Sequence, residues 1–528
     1  MENISEIRKL TLGVYDSPQE QKQPMYTADL IRTNIAVFGG PMSGKTNFIK
    51  NLLVRLHEKL CPELIEEEIY ILDFGGAMGS YGELGSVCAC FDNSNEENVK
   101  RIFKTVEKRV SENALKMGSV SFPDYLEEKA GSGERPKHIT LIIENINTFL
   151  SEDRYSSYQE LLMKLCRDGL SRGLCVIFTA NDITGGVSRY LSNFGTKIAF
   201  EMPADKYADI FSSRIIQPMR LPGRGLATVN SVPYEFQCFM PFENERAELA
   251  DFISETKRLL AGKEVEKLIG FARELAKDNF QKYSFDGKSF AEHDRDPKQA
   301  VVGLDYYEHK PVAVELSDTR SVAVYGKRQF GKTNLLRLLL KKLVSANRGA
   351  RVVLVDDGRR QLAAVGEEIK GQCEVRYLTS VEELKSFLSS EGYHKFGPND
   401  RTFAEKATPY TVFVLQNKGL YQANAGVLIQ SVFPQMISHA EESGYMFIFA
   451  DVRRVTDRVM ETSLNNCFEA AFLLDSIGEF ISDKGSRSVF GEMDARELKA
   501  EYARCELGDG FYYDIERDSL KKLKIVKY

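Results

Sequence analysis

No apolar run in this 528-residue chain approaches the roughly 18 to 20 residues that a membrane-spanning helix needs, and no basic start followed by a long apolar run marks a signal peptide. The expectation is a chain that is soluble as given. Net positive charge is missing too. The formal balance is -6, so no global field recommends a nucleic-acid partner, although a local basic lining would escape such a sum. Cysteine pairing is equally absent: nine cysteines, an odd number, are scattered along the chain, which suits a reducing compartment. The one close pair, Cys88-Ala89-Cys90, has no second pair at zinc spacing and reads as inert core thiols rather than a metal site. What remains is ordinary globular composition, 43% hydrophobic and 28% charged, which argues against long disorder. The length exceeds what one core supports and predicts two large domains or three smaller ones.

A phosphate-binding loop occurs twice: Gly39-Gly40-Pro41-Met42-Ser43-Gly44-Lys45-Thr46 and Gly326-Lys327-Arg328-Gln329-Phe330-Gly331-Lys332-Thr333. Both fit G-x-x-x-x-G-K-[ST] without a gap. Each follows a short apolar run, Ile35–Phe38 or Val322–Tyr325, and precedes an apolar helical pattern (Phe48, Ile49, Leu52, Leu53; Leu335, Leu336, Leu338, Leu339, Leu340). That strand, loop and helix context is what the motif requires. In such a turn successive N–H groups converge on phosphates while the helix points its positive end at them. Lys45 and Lys332 are expected to reach the β- and γ-phosphates of ATP. Thr46 and Thr333 are expected to place a hydroxyl on the accompanying magnesium. The ATP-binding segments are read as running on to Asn47 and Asn334.

Repetition extends beyond the loops. A second apolar strand ends in Asp in both halves, Ile69–Asp73 and Val352–Asp356. A third, Ile139–Glu144, is matched by Tyr410–Gln416, and a fourth, Gly173–Thr179, by Gly444–Ala450. Apolar β-rich runs alternating with helices predict α/β domains, each a mainly parallel sheet covered by helices on both faces. The expected organisation is a first domain over 1–245, a helical linker region over 246–300 and a second domain over 301–528. Interleaved acidic residues make the basic residues of that linker a solvated helical face rather than a nucleic-acid patch.

Hydrolysis at such a loop normally needs a carboxylate at a strand end to hold magnesium and a second acidic group to activate water. In the first half Glu144 occupies the metal position, as a candidate catalytic residue beside Lys45, and Asn145 follows it. In the second half Gln416-Asn417 supplies no carboxylate. An amide cannot take the proton of an attacking water at neutral pH. The first half is therefore expected to turn over slowly and the second not at all. The alternative assignment makes Asp73, or Asp356 with Asp357, the metal carboxylate.

Further paired segments surround these motifs. Leu10–Pro18 ahead of the first loop is matched by Val302–Asp305 and Pro311–Leu316 ahead of the second, and Leu221-Pro222-Gly223-Arg224-Gly225 is echoed by Leu507-Gly508-Asp509-Gly510. With the loops and strand ends, they make nearly the whole chain resemble the FtsK/SpoIIIE family of RecA-like motor ATPases. Tandem copies with eroded strand-end carboxylates resemble, within it, the last two ATPase domains of the type VII secretion ATPases of the EssC/EccC kind. The resemblance implies residence at the cytoplasmic side of a bacterial plasma membrane, in a longer membrane-anchored protein. It also implies a hexamer, WXG100-type export substrates as partners together with other ATPase domains and membrane proteins of the machinery, and no direct nucleic acid. Arg167, Arg189, Arg214 and Arg224 are candidates for the arginine that such proteins lend to a neighbouring site. Two other readings stay open: a DNA translocase of the same family, and an interaction scaffold in which ATP is a structural ligand.

Overall fold

The computed structural model describes residues 8–59, 67–128, 136–211, 217–260, 265–271, 274–306, 308–326, 329–357, 359–391, 409–421, 426–450, 466–474 and 505–528. Arg214, Lys327 and Arg328 lie outside these residues. The chain divides into two compact units, Met1–Gly270 and Phe271–Tyr528. The segment 246–300, expected as a linker, is shared between them.

In the first unit the strands are β1 (Lys9–Tyr15), β2 (Met25–Asp29), β3 (Ile35–Phe38), β4 (Glu67–Asp73), β5 (Val87–Phe91), β6 (His138–Glu144), β7 (Leu174–Ala180), β8 (Thr196–Phe200), β9 (Arg224–Val229) and β10 (Val232–Cys238). They form one sheet in the order β2-β1-β10-β9-β8-β3-β7-β6-β4-β5. From β8 to β5 every pairing is parallel. From β8 outward through β9, β10, β1 and β2 every pairing is antiparallel.

Both faces of the parallel part are covered, because its strands are apolar at consecutive positions. Ile35 and Val37 of β3 join Phe48, Ile49, Leu52 and Leu53 of helix α1 (Lys45–Lys59) in one core. Ala36 and Phe38 face the other way, toward Val99, Ile102 and Phe103 of α2 (Glu96–Met117) and Leu162 and Leu165 of α3 (Ser156–Asp168). Burying a large apolar side chain contributes about 1.5–3 kcal/mol, against differences of about 0.7 kcal/mol in helix propensity among ordinary residues. Packing therefore fixes α1. The last helix, α4 (Glu245–Leu260), adds Leu249 to the α1-side core.

The second unit repeats this plan. After the two-residue strand β11 (Leu275–Ala276) come β12 (Gln299–Asp305), β13 (Pro311–Glu315), β14 (Ser321–Gly326), β15 (Arg351–Asp356), β16 (Glu374–Leu378), β17 (Thr411–Gln416), β18 (Tyr445–Ala450), β19 (Ala470–Leu474), β20 (Asp509–Asp514) and β21 (Ser519–Lys527). Their order, β13-β12-β21-β20-β19-β14-β18-β17-β15-β16, is that of the first unit strand for strand, and β11 pairs with β21. Val322 and Val324 of β14 pack with Leu335 and Leu339 of α5 (Lys332–Ala346) and Val365 of α6 (Ala363–Ile369). Ala323 and Tyr325 face Leu384 and Leu388 of α7 (Val381–Ser390). Local irregularities recur as well: β1 shifts register between Thr11 and Gly13, and β12 between Val301 and Gly303.

Candidate functional site

The sheet order decides what can meet at the first loop. β7 lies between β3, which feeds the loop, and β6, which ends in Glu144. A side chain at the end of β6 therefore points across one strand toward the start of α1. There Thr46 Oγ donates to Glu144 Oε1 at 3.0 Å. The other carboxylate oxygen, Oε2, is buried beside the Gly75 backbone, where it makes no hydrogen bond of normal geometry. Burial pushes the Glu144 carboxyl above its ordinary pKa, and the nearby Asp73 charge adds to this, while the Thr46 hydrogen bond and Lys45 oppose it.

Lys45 is folded back onto its own loop, donating to the carbonyls of Gly39 at 2.6 Å and Gly40 at 2.8 Å. Burial lowers its pKa, and the Glu144 charge opposes that. The loop is anchored from both sides: Gly39 N–H donates to Ala180 O of β7, and Gly40 N–H to Glu201 O just past β8. Met42 and Gly44 hold positive φ, 58° and 112°. A β-carbon at Gly44 would lie 3.4 Å from the Cα of Gly223, an ordinary contact distance, so the positive φ rather than crowding calls for glycine there. The Ser43 hydroxyl is buried without a hydrogen-bond partner. Pro41 is exposed. Asn47 turns away, its side-chain N–H donating to Phe239 O at 3.3 Å, which ties α1 to the residue after β10.

Asp73 pairs with Glu144 in the β4–β6 register, but its carboxylate accepts from Ala77 N–H at 3.1 Å and Met78 N–H at 2.8 Å and so caps the turn that follows. Asn145 also serves the backbone. It takes a left-handed φ of 62°, which asparagine tolerates; its N–H donates to Thr179 Oγ of β7 at 2.8 Å, and its side chain donates to Thr148 Oγ at 2.8 Å.

The described part of the second loop repeats the positive-φ positions of the first with different chemistry. Gln329 and Gly331 hold positive φ, 70° and 95°, at the positions of Met42 and Gly44. Lys332 donates to Gly326 O at 2.7 Å, as Lys45 does to Gly39. Thr333 and Phe330 flank it, partly buried. Asn334 is tied to the last strand through Val526 O and Tyr528 N–H, as Asn47 is to Phe239. At the strand end, Gln416 donates to Gln361 Oε1 at 2.9 Å, and Asn417 donates to Asp356 O at 2.7 Å. The Asp356 carboxylate accepts from Leu362 N–H, Asp357 N–H and the Tyr377 hydroxyl. The Asp356 carboxylate is thus engaged in holding the turn after β15.

Three candidate arginines have partners within the first unit. Arg167 pairs with Asp168, Arg189 contacts Gln159 and Gly186, and Arg224 is held between Asp16 and Glu235. The close thiols Cys88 and Cys90 stand on β5, where burial pushes both pKa values up to about 12. The sequence does not reveal the proximity of Gly223 to Gly44. Its signal is the pair of glycines in Leu221–Gly225, matched by Gly508 and Gly510.

No protein-family model matches the chain. The type VII secretion system protein EssC of Staphylococcus aureus (strain MRSA252) is 22% identical over 360 residues, 66% of this chain and 23% of that protein. The ESX secretion system protein EccC of Geobacillus thermodenitrificans is 22% identical over 461 residues, 84% of this chain and 30% of that protein. The chain thus spans under a third of the length of these two relatives. Among solved structures, EssC ATPases 2 and 3 from Geobacillus thermodenitrificans superpose with a TM-score of 0.71 at 19% identity, covering 98% of this chain and 96% of that one. Thermomonospora curvata EccC ATPases 2 and 3, in complex with a signal sequence peptide, give 0.63 at 17% identity, covering 99% and 93%. The sequence and structural homologues of this chain are EssC and EccC ATPase domains, and its fold is that of their tandem ATPases.

Proposed function

We propose that this chain is the nucleotide-binding part of a bacterial type VII secretion motor, each unit holding ATP at its loop. The observation that carries this reading is the meeting of Thr46 with Glu144 at 3.0 Å beside the buried Lys45. A hydroxyl and an ammonium on the loop, with a strand-end carboxylate that has a buried spare oxygen beside them, suit a hard cation and a polyphosphate. Thr46 and Glu144 would hold magnesium, and the loop N–H groups with Lys45 the phosphates; bound magnesium would neutralise charge on the phosphates. Lys45 would leave the Gly39 and Gly40 carbonyls to reach them.

Hydrolysis is slow in the first unit, because Asn145 is committed to Thr148 and Thr179 and the neighbouring Asp73 carboxylate to the Ala77 and Met78 N–H groups rather than to a water. It is lacking in the second, where Gln416 replaces Glu144. Nucleotide occupancy then serves assembly and substrate docking more than force generation. Relatives named for type VII and ESX secretion, one of them solved with a signal sequence peptide, support a secreted cargo; WXG100-type proteins as that cargo, hexamers in the complete protein and a place at the cytoplasmic face of the plasma membrane are what the family resemblance adds to the proposal.

The test is nucleotide content and turnover of the purified chain. ATP should be recovered from it with little turnover, and Lys45→Ala and Lys332→Ala should each remove one site. Fast hydrolysis abolished by Lys45→Ala would instead make the first unit a working motor. An absence of bound or bindable ATP would leave no nucleotide role.

A further inference from the structure

The second unit contains a cavity of about 310 Å³ that lies away from its phosphate loop. Lys341, on its wall, stands nine residues along α5 from Lys332, about 14 Å at 1.5 Å per residue. Phe290, Val301 and Leu338 give the cavity buried apolar walls, and Lys277, Lys341 and Lys342 bring three ammonium groups to it.

The charges around this cavity do not balance. Lys342 is buried and pairs with Asp294 at 3.2 Å. Lys341 pairs with Glu368 at 3.0 Å, but Glu368 also serves Arg337 at 3.0 Å, so one carboxylate faces two cations. Lys277 has no carboxylate partner among the described residues. Its ammonium lies 3.3 Å from the centre of the Tyr528 ring, and that of Lys341 lies 4.0 Å from the same centre. A ring face attracts cations but brings no negative charge to offset two of them. The backbone that carries these groups is held: Tyr528 N–H donates to Asn334 Oδ1 at 2.7 Å, and Ala276, beside Lys277, pairs with Lys527 in the β11–β21 register.

The first unit has no counterpart. With the two phosphate loops aligned, Lys341 and Lys342 fall on Val54, which is buried, and on Arg55, which Glu58 holds at 2.8 Å. The lysines are therefore no part of what the two units share.

We propose that this cavity binds a phosphomonoester, its phosphate bridging Lys277 and Lys341 and its small organic group resting on Phe290, Val301 and Leu338. The excess of two positive charges matches a phosphate ester that carries close to two negative ones at neutral pH. Lysine meets phosphate as a point charge, without the planar fork that would favour a carboxylate. The volume is at the low end for ligand clefts and admits one small group. The same chemistry comes in two forms, a free organic phosphate and the headgroup of phosphatidic acid.

The experiment uses the full chain carrying Lys45→Ala and Lys332→Ala, so that neither phosphate loop competes. Phenyl phosphate binding is measured by calorimetry at low salt without magnesium, with and without the pair Lys277→Gln and Lys341→Gln. The pair should weaken binding by about tenfold or more, and benzoate, with the same ring and one charge, should bind about tenfold more weakly than phenyl phosphate. Lys277→Gln alone breaks no ion pair and should weaken binding about fivefold, which keeps the test sound if loss of the Lys341–Glu368 pair disturbs α5. Sedimentation with vesicles of phosphatidylcholine, with and without phosphatidic acid, separates the sources. Phenyl phosphate binding without sedimentation assigns a free phosphate. Sedimentation that needs both phosphatidic acid and the two lysines assigns the headgroup. Binding of neither probe, binding that the lysine variants leave unchanged, or benzoate held as tightly as phenyl phosphate would each overturn the site.

Discussion

Glu144 is a carboxylate held where burial works against its charge. Its pKa is raised, so the folded chain binds this proton more tightly than the unfolded chain does. Stability contributed at this site therefore falls as pH rises from the ordinary glutamate value, about 4.3, through the raised folded value, and stays lower above it. Glu144→Gln removes that cost while keeping an oxygen for Thr46. The variant without nucleotide should melt higher than the parent at pH 8, and the difference should shrink toward pH 4. The same change should weaken magnesium-dependent nucleotide binding by roughly ten- to a hundredfold, the range seen when groups that orient a metal site are altered. Melting curves at the two pH values decide the first point, and a lower midpoint for Glu144→Gln at pH 8 would contradict it. The second unit already carries glutamine at this place, and there Gln416 makes a neutral hydrogen bond to Gln361.

Elements show the duplication more strictly than residues do. Gly13 and Gly303 stand at the same register shift of β1 and β12, and a β-carbon at either would lie 2.2 Å from a carbonyl oxygen of the neighbouring strand, Gln237 O or Lys524 O. Backbone cannot yield as a side-chain tip can. Gly13→Ala and Gly303→Ala should each cost about 1–3 kcal/mol, as overpacking does. Urea denaturation of the two variants measures it, and midpoints equal to the parent's would mean that the strands separate there without penalty. The parallel strands were legible in the sequence because runs such as Ile139–Glu144 and Thr411–Gln416 are apolar on both faces. The antiparallel extension was not. β1 and β2 alternate buried Leu10, Leu12, Tyr26 and Ala28 with exposed or half-buried residues, since only one face is covered. A short half-covered strand broken by a bulge carries little periodicity. At the site, the two loops are legible from spacing, and the end of an apolar run marks Glu144 as a candidate with Asp73 as its alternative. The tasks of Asp73, Asn145 and Asn47 are not legible, because each depends on which backbone group happens to lie opposite.

At the scale of the whole molecule the question is where one folding unit stops. Charge pattern places the end of the first domain near residue 245, with a solvated helical segment after it. In the structure α4 begins there, and its inner face is part of the first unit: Leu249 and Leu260 are buried, and Phe252 and Ile253 pack against the α1-side core. Beyond the helix, Leu268 N–H donates to Cys88 O at 2.7 Å, and Lys267 donates to Leu84 O at 2.6 Å and Val87 O at 2.5 Å, so this stretch covers the edge strand β5. Arg101 donates to Ile269 O at 2.7 Å. One residue past Gly270, Phe271 belongs to the second unit's core, edge-to-face with Tyr306. A fragment 1–245 would lose two buried leucines at about 1.5–3 kcal/mol each, along with the cover over β5. Against the 5–15 kcal/mol typical of a domain, that leaves little. Fragment 1–270 should unfold cooperatively in urea at a clearly higher midpoint than 1–245, and the shorter one should expose apolar surface to a dye such as ANS before unfolding. Equal midpoints would make α4 and the strap surface decoration and return the boundary to residue 245. A higher midpoint for 1–270 makes them the closing pieces of the first unit, so that the cut between Gly270 and Phe271 is the one that yields two domains each able to hold its own loop.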